Sequence, residues 1–158
     1  MESILDQLVY FYYHHDLFQP EPRLPEYEIR NTWQNILNKE RVLYTLNEEG
    51  KILGYVESWR INYAQLGWIL CNNPFDVALH DIVSGNICYV ANTTILPEYR
   101  FTHVVRDLKT RFFEQNKECE FFVGEARRKK HQPFKVFRRH EFFDKYISRY
   151  VQEKKGVS

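Results

Sequence analysis

Ile95-Leu96-Pro97-Glu98-Tyr99-Arg100-Phe101-Thr102-His103 is the stretch on which the reading of this 158-residue chain turns. A β-rich run, Ile87 to Leu96, leads into it and stops at Pro97, which lacks the N–H that a strand ladder needs. Thr102 is a suitable N-cap. His103 to about Asn116 follows it, with Val105, Leu108 and Phe112 as an apolar helical stripe. Cys119 to Gly124 is then a short apolar strand. A strand, a helix and a strand in that order predict a parallel crossover.

Upstream the periodicity differs. Residues 2–15 carry Leu5, Leu8, Val9, Tyr12 and Tyr13 on one helical stripe. Three prolines, Pro20, Pro22 and Pro25, mark a loop. Asn31, with Gln34 three residues on, predicts the cap of a second helix buried through Trp33, Ile36 and Leu37. Arg41 to Leu46 and Ile52 to Ile61 read as two strands joined by a turn at Asn47-Glu48-Glu49-Gly50-Lys51. Leu53, Tyr55, Trp59 and Ile61 share one face of the second strand, and Glu57 interrupts them.

Residues 62–86 read as an insert. It comprises a strand at Leu66–Cys71, a short helix at Asp76–Val83 and a turn at Ser84-Gly85-Asn86. Pro133 predicts the first turn of a final helix burying Phe134 and Phe137, and Phe142 to Val151 predicts a last strand. The expectation is one domain spanning 1–158, of α/β class: a mixed (α+β) sheet with helices on both faces.

Composition narrows the function classes. Hydrophobic residues are 44% and aromatics 16%, enough for a packed core without metal or disulfide staples. Cys71, Cys88 and Cys119 form no C-x-x-C knuckle, and adjacent His14-His15 lacks the spacing for two ligands on one helix face, so no metal is expected. The N-terminus lacks a basic signal region, and no apolar run nears the ~18 residues of a membrane span. The expectation is a soluble, intracellular (cytoplasmic) protein with no membrane partner. Charge is uneven: residues 1–99 hold 6 Lys/Arg against 13 Asp/Glu, and residues 100–140 hold 12 against 5. Arg127, Arg128, Lys129, Lys130, Lys135, Arg138 and Arg139 make the densest basic cluster, a candidate face for an acidic protein, phosphate or nucleic acid.

Ile95-Leu96-Pro97-Glu98-Tyr99-Arg100 resembles the V-x-P-x-Y-R motif of the GNAT superfamily of N-acetyltransferases. The turn and strand Asn47-Glu48-Glu49-Gly50-Lys51-Ile52-Leu53-Gly54-Tyr55-Val56 resemble the family's second and third strands. Val136-Phe137-Arg138-Arg139-His140-Glu141-Phe142 resembles its late "lYeklGF" segment. The resemblance covers roughly residues 30–142. It implies a central mixed sheet that splays at the motif strand, so that the pantetheine arm of acetyl-CoA pairs there like an extra strand. Thr94, Ile95 and Leu96 are the matching positions. The loop after the motif, R-x-x-G-x-G/A in the family, grips the pyrophosphate with backbone N–H groups at a helix N-terminus. Arg100, Thr102, His103 and Val104 are its candidates here, and Glu57 is the candidate general base.

The departures weigh on activity. His103 and Val105 stand where the family has glycine, placing side chains where bare backbone is wanted. Phe137 aligns with the tyrosine that protonates the leaving thiolate, and Glu141 with a glycine. The motif strand carries no carboxylate. Set against the resemblance, the family's first strand is also expected to be missing and the C-terminal end to be trimmed. The resulting expectation is a GNAT-like module with a degenerate CoA-binding loop, non-catalytic, serving a protein partner or assembly. Such compact variants of the fold are often virus- or phage-encoded. The alternatives are an active acetyl-CoA-dependent N-acetyltransferase acting on an amine and a nucleic-acid-binding protein using the 127–139 basic face.

Overall fold

The computed structural model describes residues 2–16, 21–70, 85–125 and 134–142. The elements run α1 (Ile4–His14), α2 (Glu26–Asn38), β1 (Val42–Leu46), β2 (Ile52–Ile61), α3 (Tyr63–Leu70), β3 (Ile87–Ile95), α4 (His103–Gln115), β4 (Phe121–Glu125) and β5 (Phe134–Arg138). A single helical turn, Arg139–Glu141, follows β5. The strands form one sheet in the order β1-β2-β3-β4-β5. β2 runs antiparallel to both of its neighbours, β1 and β3; β3 and β4 are parallel across α4, and β5 returns antiparallel to β4. This is the mixed sheet, with its late parallel crossover, that the sequence predicts.

The two faces of the sheet are covered differently. Tyr55 of β2 meets Phe11 of α1 and Trp33 of α2 edge-on, with ring centroids 5.5 and 5.2 Å apart, so α1 and α2 cover one face. α4 covers the other. A Cβ at Gly54 would stand 3.2 Å from Leu108 of α4 and 3.1 Å from Ile95, so the missing side chain is what lets α4 lie close to β2. Thr102 caps α4 as predicted, its hydroxyl accepting from the Val104 N–H. Val104, rather than Val105, is the fully buried residue of its first turn.

Three local expectations are corrected. α2 begins at Glu26, not after Asn31, because Pro25 stands at the N-cap with its φ already at −59° and Glu26 and Glu28 favour the positive helix end. Tyr63–Leu70 is a helix, not a strand. Asn62 Oδ1 accepts from Gln65 N and Gln65 Oε1 accepts from Asn62 N, both at 2.9 Å, a reciprocal cap that starts the helix. Phe134–Arg138 is a strand, not a helix after Pro133. Its Phe137 pairs with Phe122 and is 1% exposed, and aromatic and β-branched residues suit that pleated, buried position. The expected helix at Asp76–Val83 and strand at Phe142–Val151 lie outside the described residues, apart from Phe142 itself.

Candidate functional site

The β3–β4 ladder has three rungs, Ile87–Phe121, Cys88–Phe122 and Tyr89–Val123, although β3 continues to Ile95 and β4 to Glu125. The two strands part beyond Tyr89. A bulge lies at the same place: Glu57 pairs with Asn92 but Ser58 with Val90, which leaves Ala91 as an extra residue in β3. A bulge bends its strand and increases local twist, and that turns the end of β3 away from β4. The sheet therefore opens on the strand that carries the Ile95–Arg100 motif.

Strand parity settles which backbone groups meet the opening. The Leu96 N–H donates to Leu53 O at 3.0 Å, so Leu96, Thr94 and Asn92 turn their backbone groups toward β2. Thr93 and Ile95 turn theirs toward the gap. Of the three expected pantetheine contacts, only Ile95 has this orientation. Thr93 is the residue that reading missed, and alternation along the strand could have found it. Arg100 Nε reaches back to the Ile95 carbonyl at 3.3 Å.

On the α1–α2 face, beside the gap, lies a buried polar cluster. Asn92 Nδ2 donates to Asp16 Oδ2 at 2.9 Å and to the Tyr55 hydroxyl oxygen at 3.0 Å. Thr94 Oγ1 donates to Asn92 Oδ1 at 3.4 Å. Glu57, opposite Asn92 in the register, accepts from the Trp59 indole at 2.7 Å. Asp16, Glu57, Asn92 and Thr94 are all buried. Burying such groups is costly unless each is bonded, and here the bonds are made. Glu57 therefore faces inward, as its place among bulky neighbours implied. Asp16, Tyr55 and Asn92 were not anticipated: Asp16 follows the end of α1 and Asn92 lies 76 residues away in the chain.

The loop expected to hold pyrophosphate is bonded to itself. Tyr99 N–H donates to Leu96 O, Arg100 N–H to Pro97 O, Thr102 N–H to Tyr99 O and Val105 N–H to Thr102 O. The Thr102 hydroxyl takes the Val104 N–H and donates to Tyr99 O. His103 is exposed, and Val104 is fully buried in the core.

Phe137 is placed differently from its expected alignment. It lies on β5 in an aromatic cluster, 5.8 Å from Phe142 between ring centroids, and not on a helix beside the gap. The "lYeklGF" match therefore does not describe this segment, and the loss of a thiolate acid cannot be read from Phe137. In the basic segment, Arg127 to Lys130 lie outside the described residues. Arg138 is exposed and Lys135 half-buried. Arg139 points inward: it donates to the Cys119 carbonyl at 2.9 Å and to that of Asn116, and lies over the Phe113 and Phe122 rings. No described helix is long and apolar enough to cross a membrane. Burial pushes the Cys88 thiol well above its usual range and raises that of Cys119.

No family model matches this sequence, and no curated protein matches it. Solved structures do. One is the GphF GNAT-like decarboxylase in complex with isobutyryl-CoA, with TM-score 0.51 and 21% identity, covering 76% of this chain and 60% of that one. Another is the loading GNATL domain of CurA from Lyngbya majuscula, with TM-score 0.49 and 22% identity, covering 77% of this chain and 59% of that one. The chain thus spans about 60% of the length of these solved proteins. With its mixed five-stranded sheet opening at the motif strand, the chain has a GNAT-like fold.

Proposed function

We propose that this chain is a GNAT-like binding module that does not transfer acetyl groups and serves a protein partner or assembly. The observation that carries this reading is the closed start of α4. The N–H groups of Thr102, Val104 and Val105 are bonded within the loop, and His103 and Val105 bring side chains to the positions where a phosphate-gripping loop needs bare backbone. The exposed Arg138, in the segment of the sequence richest in basic residues, suits an acidic partner surface. The free, buried thiols of Cys88 and Cys119 suit a reducing, cytoplasmic compartment.

Titration calorimetry with acetyl-CoA, and a thiol-release assay with a panel of amines, test the reading. The expected result is no heat and no release above buffer from folded protein. The double variant His103→Gly with Val105→Gly should then gain measurable CoA binding. Micromolar binding by the wild type, with amine-dependent thiol release that falls in Arg100→Ala, overturns it.

That outcome would favour a second reading, a CoA-thioester-dependent acyltransferase. The opening beside β3 and the buried Glu57 support it, and the isobutyryl-CoA bound by GphF makes CoA thioesters the ligand class to try first. In that reaction an amine nitrogen attacks the thioester carbonyl, the C–S bond breaks, Glu57 takes the amine proton and the thiolate leaves with CoA. Glu57→Gln would then lower the rate by about 10²–10⁴-fold. A third function, nucleic-acid binding through the 127–139 segment, predicts a steep salt dependence, with a log–log slope of about −0.9 per phosphate contact on duplex DNA.

A further inference from the structure

Among the described residues, β1 is the terminal strand of the sheet. The Ser58 N–H donates to Arg41 O at 3.0 Å, so Arg41, Leu43 and Thr45 turn their backbone groups toward β2. Val42 and Tyr44 turn theirs outward. The Tyr44 carbonyl is accordingly met from outside, by Arg111 Nη1 of α4 at 3.0 Å. The same Arg111 nitrogen donates to the Thr45 hydroxyl at 3.2 Å, and among the described residues no other hydrogen bond reaches the outward backbone groups of Val42 and Tyr44. A separate open groove of about 890 Å³ lies beside β1, between β1, β2 and the end of α4, and is lined by Arg41, Tyr44, Arg60, Arg111 and Glu118 among others.

Edge strands are ordinarily protected by charges, prolines or bulges. Val42-Leu43-Tyr44-Thr45-Leu46 contains no charge and no proline. The irregularity beside it lies on β2, where Leu53 is the extra residue, so β1 itself is regular. Leu46 is 42% exposed. The guard is Arg111, a half-exposed side chain that also holds Asp107 at 3.1 Å.

We propose that the outer edge of β1 is a self-association surface, on which two copies of this chain pair β1 to β1 antiparallel about a two-fold axis at Tyr44. The strand is self-complementary in that register. Tyr44 faces Tyr44 of the partner subunit, and Val42 faces Leu46 of the partner subunit, so apolar side chains meet and no like charges oppose. The uncharged strand meets its own copy without opposed charges in this register, which is why the occupant is a second copy. Arg111 competes with the pairing, because the Tyr44 carbonyl it holds is the acceptor the partner's Tyr44 N–H needs. A five-residue ladder buries less than a standard interface, so the association is concentration-dependent.

Sedimentation equilibrium across a wide range of protein concentration tests this. Arg111→Ala should tighten self-association by about tenfold, since two symmetry-related carbonyls are released. Leu46→Lys, a change at an exposed position, should abolish it. Tyr44→Cys should form a disulfide between copies on mild oxidation, because paired residues of this type stand about 5.5 Å apart at Cα, within disulfide reach. Monomer throughout the range for both wild type and Arg111→Ala overturns the proposal. So does a dimer unaffected by Leu46→Lys, or one whose Tyr44→Cys form does not cross-link.

Discussion

The two halves of the sheet are built to different rules. Under β4 and β5 the core is almost purely aromatic: Phe112, Phe113, Phe122 and Phe142 lie within 5.2–6.1 Å of one another where their rings meet, and Phe137 closes the group. Under β2 and β3 the same depth of burial holds Asp16, Glu57, Asn92 and Thr94. Packing alone has no use for two buried carboxylates, because apolar side chains of similar volume fill the space at less desolvation cost. The aromatic half is a scaffold. The polar half, beside the opening of the sheet, is where a ligand-recognising arrangement is to be sought.

That contrast can be broken. The largest expected effect is in the scaffold. Phe122→Ala removes a fully buried ring and should cost about 3–5 kcal/mol, read as a fall in Tm and in denaturation midpoint. Asn92→Ala comes next. It deprives Asp16 and Tyr55 of a donor and should cost about 1–3 kcal/mol by the same measurement. Equal losses from the two variants would erase the distinction and make the polar cluster part of the scaffold.

Smaller effects sharpen it. Thr102→Ala should cost about 1 kcal/mol through the lost cap and leave the Phe cluster intact, which near-ultraviolet circular dichroism would show. The smallest effect is on pH dependence. Burial, with His14 adding to it, holds the His15 imidazole below its ordinary range. Unfolded His15 then takes up a proton at a pH where folded His15 resists. Its contribution is present above the unfolded pKa of about 6.5 and fades as pH falls toward the folded value. Asp107 acts lower on the scale. The Thr45 hydroxyl, and then Arg111, hold its carboxyl below the usual range, so its contribution is present above about pH 4 and is lost as pH falls through its folded pKa. Tm measured from pH 8 to pH 3 should show both steps, with the first one absent in His15→Gln.

Much of the architecture was legible before any coordinates. The pattern around Pro97 and Thr102 defined a strand, a cap and a helix because a missing N–H and a side-chain acceptor act locally. The turn at Asn47–Lys51 was equally plain, with Gly50 at φ 81° as such a turn needs. Phe134–Arg138 reads equally as helix or strand because a five-residue segment is too short for its period to separate the two, and only pairing with Phe122 and Val123 decides it. The Asn62–Gln65 cap was visible in the sequence and was passed over in favour of the apolar run after it.

The candidate site divides the same way. Glu57 could be placed from strand alternation, since it shares a face with Tyr55 and Trp59. Asp16 and Asn92 could not, because their contact spans 76 residues and exists only once α1 lies across the sheet. Local chemistry is written in adjacent residues, so the sequence by itself determined the Thr102 cap, the Asn47–Lys51 turn with its two strands, and the parallel crossover around α4. Where the sheet opens, which carboxylates are buried beside the opening and, among the described residues, which edge of β1 stays unpaired depend on distant segments meeting. Those were decided by the tertiary structure alone.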